Sequence, residues 1–218
     1  LMGAEVRFNG GHKESRLCSR TLAEHFEFVP LCPEVAIGMG IPREPIRLVG
    51  DPQSPQAVGT VNPSINVTAP LAEYGEKMAG ELNDICGYIF MQQSPSCGLE
   101  RVKVYHDNGA PVNGGGRGIY AQAFCARHPD LPVEEAGRLN DPVLRENFIT
   151  RVLAYSDWQQ VLAQGLSRRV LTEFHSRYKY QLMAHNPLQY KALGKLLGNM
   201  AQSDPAELGP RYFSELMA

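Results

Sequence analysis

The chain has 218 residues and a formal net charge of −2, with 21 Lys and Arg against 23 Asp and Glu. Hydrophobic residues make up 43% and charged residues 20%, proportions of a chain that buries a core rather than of a disordered one. No apolar run approaches the roughly 20 residues of a membrane-spanning helix, no secretory signal is visible, and a near-balanced charge supplies no general attraction to nucleic acid.

In chain order, Phe26-Glu27-Phe28-Val29 alternates like a strand and runs into Pro30-Leu31-Cys32-Pro33-Glu34. Two prolines so close stop both helix and ladder, which predicts Cys32 on a rigid loop at a strand's end. A Gly/Pro-rich stretch, 38–45, leads to a short strand, Ile46–Val49, and the polar residues 51–66 read as an exposed excursion. Leu71, Tyr74, Met78 and Leu82 share one face of a helix expected over 70–83. The run Ile85–Met91 is nearly all apolar and predicts a strand buried on both faces. It ends in a second Pro/Gly-bearing loop, Ser94-Pro95-Ser96-Cys97-Gly98. A strand over 102–105 and a helix over 119–127 follow.

Alternating elements of these lengths predict an α/β fold with a largely parallel sheet and flanking helices. Past Arg138 the pattern becomes helical. Asp141-Pro142, Ser167, Asn186-Pro187 and Asp204-Pro205 each place a cap, three of them with an N1 proline, before an apolar-periodic stretch, and Asp204 with Glu207 has capping-box spacing. The expected organisation is an α/β domain over 1–137 and an all-α helical bundle over 138–218. Because the sequence opens on Leu1 and its last helix stops without a cap, both ends read as trimmed.

Five cysteines, an odd number without disulfide-scaffold spacing, suit reduced thiols in a cytoplasm. Cys86 and Cys125 read as small buried hydrophobes and Cys18 as structural. Cys32 and Cys97 stand apart. Each follows a predicted strand, and ligands in open α/β folds bind at the carboxyl ends of strands. Glu34 lies two residues past Cys32, and Ser94 and Ser96 precede Cys97, so soft ligands, a carboxylate and hydroxyls collect at one edge. On residues alone two chemistries compete with simple packing: a zinc site, although no close Cys or His pair supports one, and a nucleophilic cysteine served by His12, His25 or His106. Arg43 and Arg47 read as surface ion pairs. His175 and His185 are spaced onto different faces of one helix and are not expected to share a metal.

Four motifs then occur in order: Gly10-Gly11-His12-Lys13, Leu31-Cys32-Pro33-Glu34, Gly40-Ile41-Pro42-Arg43-Glu44-Pro45 with Arg47-Leu48-Val49-Gly50, and Ser94-Pro95-Ser96-Cys97-Gly98. Together they resemble a bacterial family whose characterised members are thiouracil desulfidases. The helical remainder, with Asn140-Asp141-Pro142 and Arg145-Glu146-Asn147-Phe148, resembles a YbgA-like domain. The resemblance implies a [4Fe-4S] cluster bound by three cysteines, two of them matching Cys32 and Cys97. The third belongs to a Ser-Ala-Cys-Leu-Leu-Gly type motif, of which Leu1-Met2-Gly3 is the visible part, and so falls just before Leu1. It further implies Glu34 as the base that activates water and Ser94 as a hydrogen-bonding or proton-relaying group. The reaction implied is non-redox desulfuration of a thiolated nucleobase such as thiouracil. The alternative is a non-enzymatic protein that uses the same cysteines to sense redox state or bind a partner.

Overall fold

The computed structural model describes residues 1–199 and 204–218. Among them no helix is long and apolar enough to cross a membrane. The chain divides into two compact units, Leu1–Pro129 with Val133–Glu146, and Asp130–Pro132 with Asn147–Ala218.

The first unit opens with a π-helical turn, Leu17–Thr21, and a 3₁₀ turn, Leu22–Glu24. There follow a short helix α1 (Pro33–Ala36), strands β1 (Ile46–Val49) and β2 (Gln56–Gly59), and helix α2 (Thr68–Glu81). Next come β3 (Tyr88–Phe90), β4 (Val104–Tyr105), helix α3 (Ile119–Arg127) and β5 (Val133–Glu135). The strands form two small sheets, β2-β1-β4 and β3-β5. β1 runs parallel to β4 and β3 parallel to β5, while β1 and β2 are antiparallel, with Ile46 opposite Gly59 and Val49 opposite Gln56. The architecture is α/β with a mixed sheet and flanking helices, followed by a helical region.

Three local expectations are corrected. Residues 26–29 join no ladder, and Val29 is largely exposed. An alternating pattern makes a strand only where a neighbour supplies the hydrogen bonds, and here Pro30 and the turn bond from the Phe26 N–H to the Leu22 carbonyl direct the chain elsewhere. The excursion over 51–66 contains β2, whose Ala57 and Val58 are buried; four residues between polar turns carry too little periodicity to register. The apolar run 85–91 yields a strand of only three residues, of which Phe90 alone is fully buried.

α2 packs on α3, and Gly75 makes the approach possible. A Cβ there would lie 2.9 Å from both the Ala123 Cβ and the Tyr120 carbonyl oxygen. Around this contact Tyr88, Phe90, Tyr120 and Phe124 form an aromatic core, with Tyr88 stacked on Phe90 at 4.1 Å. Among the cysteines, Cys18 is the one buried outright, while Cys86 and Cys125 are half-buried.

After a 3₁₀ turn (Arg138–Asn140) the helices are α4 (Pro142–Gln164), α5 (Arg168–His185), α6 (Pro187–Gly198) and α7 (Pro205–Met217). The caps sit where the sequence places them. The Ser167 hydroxyl accepts from the Val170 N–H, Asn186 from Gln189, Asp204 from Ala206, and Asp141 from Val143 and Leu144. The second unit closes over Trp158, Leu171, Phe174, Leu193, Tyr212 and Phe213.

Within it His175 Nδ1 lies 3.0 Å from the Tyr212 hydroxyl, and its ring stacks on Tyr190. Burial, and then the positive charge of Lys179, lower the His175 pKa. A base protonated more readily unfolded than folded contributes stability above its unfolded pKa of about 6.5 and loses it as pH falls through the lower folded value. Denaturant unfolding of the helical unit, followed by circular dichroism, should show stability falling as pH drops below about 6.5. His175→Gln should flatten that dependence, and identical pH slopes in the two proteins would rule the histidine out as its source.

Candidate active site

Cys32 occupies the N-cap position of α1 with extended backbone (φ −125°, ψ 104°), and Pro33 starts the helix at a position where no N–H is needed. The expected loop at a strand's end is therefore a loop capping a short helix. Glu34 lies in the first turn of α1, and its carboxylate and the Cys32 thiol both meet the Arg43 guanidinium. Cys32 Sγ contacts the Val6 carbonyl at 3.8 Å and Arg43 Nη2 at 3.9 Å.

The Cys97 loop follows β3 and docks on the start of α3. The first N–H groups of a helix lack intrahelical partners, and here the loop supplies them. The Gly118 N–H donates to the Gly98 carbonyl, Ile119 to Pro95 and Ala121 to Ser96. Gly118 is required for this approach, because a Cβ would fall 2.5 Å from the Ser96 carbonyl group and 2.8 Å from the Cys97 nitrogen. On the far side of the loop the buried Glu135 of β5 accepts from the Leu99 N–H at 2.9 Å.

Between the two loops the side chains join. Glu34 Oε2 receives Arg43 Nε at 2.8 Å, and Oε1 receives the Ser96 hydroxyl at 2.5 Å. Ser96 Oγ lies 3.0 Å from Ser94 Oγ, which in turn accepts from the Cys97 N–H at 3.1 Å. Of the sequence-derived candidates, Cys32, Cys97, Glu34 and Ser94 thus fall in one connected group. The expectation for Arg43 is corrected. Its ion pair with Glu34 is buried, with side-chain exposures of 5% and 15%, and its Nη2 also donates to the Val6 carbonyl. Among the described residues Arg47 forms no ion pair; its guanidinium lies over the Tyr105 ring.

Burial, followed by the negative charge of Glu34, pushes the Cys97 thiol up to about 12, against a partial pull from the hydroxyls of Ser96 and Ser94. Burial also raises the phenol of Tyr88, with Tyr120 and Cys97 adding to it. The Leu1 amino group, lowered mainly by burial, feels Cys18, Cys32 and Cys97. Among the described residues no three His, Cys, Asp or Glu side chains gather closely enough to hold a metal ion. The site therefore presents two soft donors, a clamped carboxylate and two serine hydroxyls.

Sequence reasoning placed the Ser96 hydroxyl at this edge but not its bond to Glu34, and it missed Arg43 as a buried member of the group. The local signal was that each directly follows a proline, Pro42 or Pro95, which holds a backbone still but does not say what the side chain meets.

Known proteins are similar to parts of this chain. YbbK of Bacillus subtilis (strain 168) is 30% identical over 122 residues, covering 53% of this chain and 80% of that one. YbgA of Escherichia coli (strain K12) is 30% identical over 57 residues, 26% of this chain and only 34% of YbgA. A solved structure, the [4Fe-4S]-dependent thiouracil desulfidase TudS, superposes with a TM-score of 0.49 and 27% identity, covering 66% of this chain and 91% of TudS. A protein family of unknown function, DUF1722, matches residues 179–218, and the 2-thiouracil desulfurase family matches residues 1–136. With more than half of its length matched, the chain belongs to the 2-thiouracil desulfurase family and is an enzyme of the desulfidase type.

Proposed function

We propose that this enzyme hydrolytically removes sulfur from a thiolated nucleobase such as thiouracil, with a [4Fe-4S] cluster held by Cys32 and Cys97 and with Glu34 and Ser94 acting on the substrate. The observation that carries the reading is the clamp on Glu34. Arg43 holds one carboxylate oxygen and Ser96 the other, between the two cysteine loops.

The donor set fits the cluster in kind, because thiolates are the ligands iron–sulfur clusters use. Among the described residues Cys32 and Cys97 are the two such ligands at this site. When bound, the cluster supplies a sulfur-seeking Lewis acid.

The chain's own residues supply the rest. Glu34 takes a proton from water as the oxygen attacks the thiocarbonyl carbon, the carbon–sulfur bond breaks, and sulfur leaves as sulfide while the carbon becomes a carbonyl. No net electron transfer is needed. Ser94, anchored by the Cys97 N–H, stands behind Glu34 as the proton-relaying group. Five free cysteines suit a reducing, cytoplasmic setting.

The test uses the chain with Ser-Ala-Cys joined ahead of Leu1, purified without oxygen. It should be brown, contain about four irons per chain, as the cluster type requires, and release sulfide from 2-thiouracil. Colourless protein binding only zinc would sink the cluster. A full cluster with no sulfide from any thiolated base would favour redox sensing instead.

A further inference from the structure

We infer that Ser96 is a positioning residue whose buried hydroxyl joins Ser94 to Glu34, so that the two groups work as one hydrogen-bonded unit. The inference rests on the reading above for what that unit acts upon, but its geometry stands apart from any cofactor.

Ser96 is 1% exposed, one of two polar side chains buried outright among the described residues. Its backbone is pinned, since its carbonyl accepts from the Ala121 N–H. Its hydroxyl therefore has only the partners the fold provides, Glu34 Oε1 at 2.5 Å and Ser94 Oγ at 3.0 Å. Among the described residues no hydrogen bond connects Ser94 to Glu34 directly.

Counting protons fixes the direction of the row. A carboxylate only accepts, and a serine hydroxyl has one proton to give. Ser96 gives its proton to Glu34, so the contact between the serines must be donated by Ser94. The Ser94 oxygen is meanwhile filled by the N–H groups of Cys97, at 3.1 Å, and Ser96, at 3.3 Å. Every proton in the row points toward Glu34, whose other oxygen is taken by Arg43. The Ser94 proton is thus aimed at Ser96 by a carboxylate that Ser94 does not touch. Without the Ser96 hydroxyl, Ser94 is free to rotate, and Glu34 loses the donor on Oε1. Fully satisfied buried networks hold geometry in a way that half-satisfied ones do not.

The row makes coupling the quantity to measure. In cluster-free full chain, the infrared carboxylate stretch of Glu34 is the band that Glu34→Gln removes. Ser96→Ala should shift it. Ser94→Ala should also shift it, but should add nothing in a Ser96→Ala background, the non-additivity expected of members of one network. In cluster-loaded protein, Ser96→Ala should lower kcat by about 10²-fold, the scale of a small misplacement, with KM and iron content unchanged. Ser96→Thr, which keeps the hydroxyl, should recover a large part of that loss.

An unshifted band in Ser96→Ala, additive shifts from the two serines, or an unchanged kcat would each overturn the inference. Wild-type protein that releases no sulfide would instead overturn the proposed reaction, and the infrared comparison would still decide whether Ser96 couples the pair.

Discussion

Glu34→Gln in cluster-loaded protein is expected to retain its iron and lose sulfide release by about 10²-fold or more, the usual scale for removing a positioned acid–base group. Iron should stay because a carboxamide removes no thiolate. Activity should fall because an amide cannot take a proton from water. The same substitution has a second effect. Arg43 and Glu34 are a buried pair, and breaking such a pair by deleting one partner costs about 3–5 kcal/mol. Glutamine moderates that cost, since its carbonyl oxygen can still accept from Arg43 Nε, whereas Glu34→Ala would leave the guanidinium unpaired. A lower melting temperature with full iron occupancy is therefore compatible with the assigned role, and sulfide must be counted per cluster in the folded fraction. Cys32→Ala and Cys97→Ala should behave differently and remove iron and activity together. Full activity in Glu34→Gln would remove the base while leaving the enzyme.

Trp158→Ala should unfold the helical unit at temperatures where the native protein holds it. Trp158 is 4% exposed, stacks on Phe213 at 4.7 Å and 2°, and meets the edge of Phe174 at 5.3 Å. α7 has Gly209 against it, where a Cβ would lie 3.4 Å from the indole and 2.8 Å from Leu166, so α7 offers no side chain at that position to fill the space. Truncating a buried tryptophan costs about 3–5 kcal/mol, against the 5–15 kcal/mol that holds an ordinary domain together. Far-UV circular dichroism against temperature should show the helical transition moving down by well over ten degrees, since about 1 kcal/mol shifts a domain this small by 4–8 °C. Trp158→Phe, which keeps a ring on Phe213, should fall between. A transition unmoved by Trp158→Ala would mean that the aromatic stack is not what holds the unit together.

The helices were largely legible in the sequence because helix signals are local. Ser167, Asn186-Pro187 and Asp204-Pro205 act within one turn, so the starts of α5, α6 and α7 could be placed before any packing was known. α3 and β1 were read with the bounds the structure shows. The sheets were less legible. A strand exists only with a partner, so the alternating 26–29 made none while 56–59, expected as part of an exposed excursion, paired with β1. β5, three residues long, draws its identity entirely from β3 beside it.

The site divides in the same way. Cys32, Glu34, Ser94 and Cys97 could be named from sequence because each motif keeps its chemistry within a few residues and the motifs resemble a known family. That Glu34 of one loop receives the hydroxyl of Ser96, 62 positions away in the chain, follows from α3 docking its N-terminal donors on the Cys97 loop and from Arg43 folding back onto α1. The sequence determined which groups are present and how each is held locally. Only the tertiary structure decided that Arg43 is buried rather than solvated, and that Ser96 rather than Ser94 touches the carboxylate, because burial and long-range hydrogen bonding belong to the assembled packing and not to any segment.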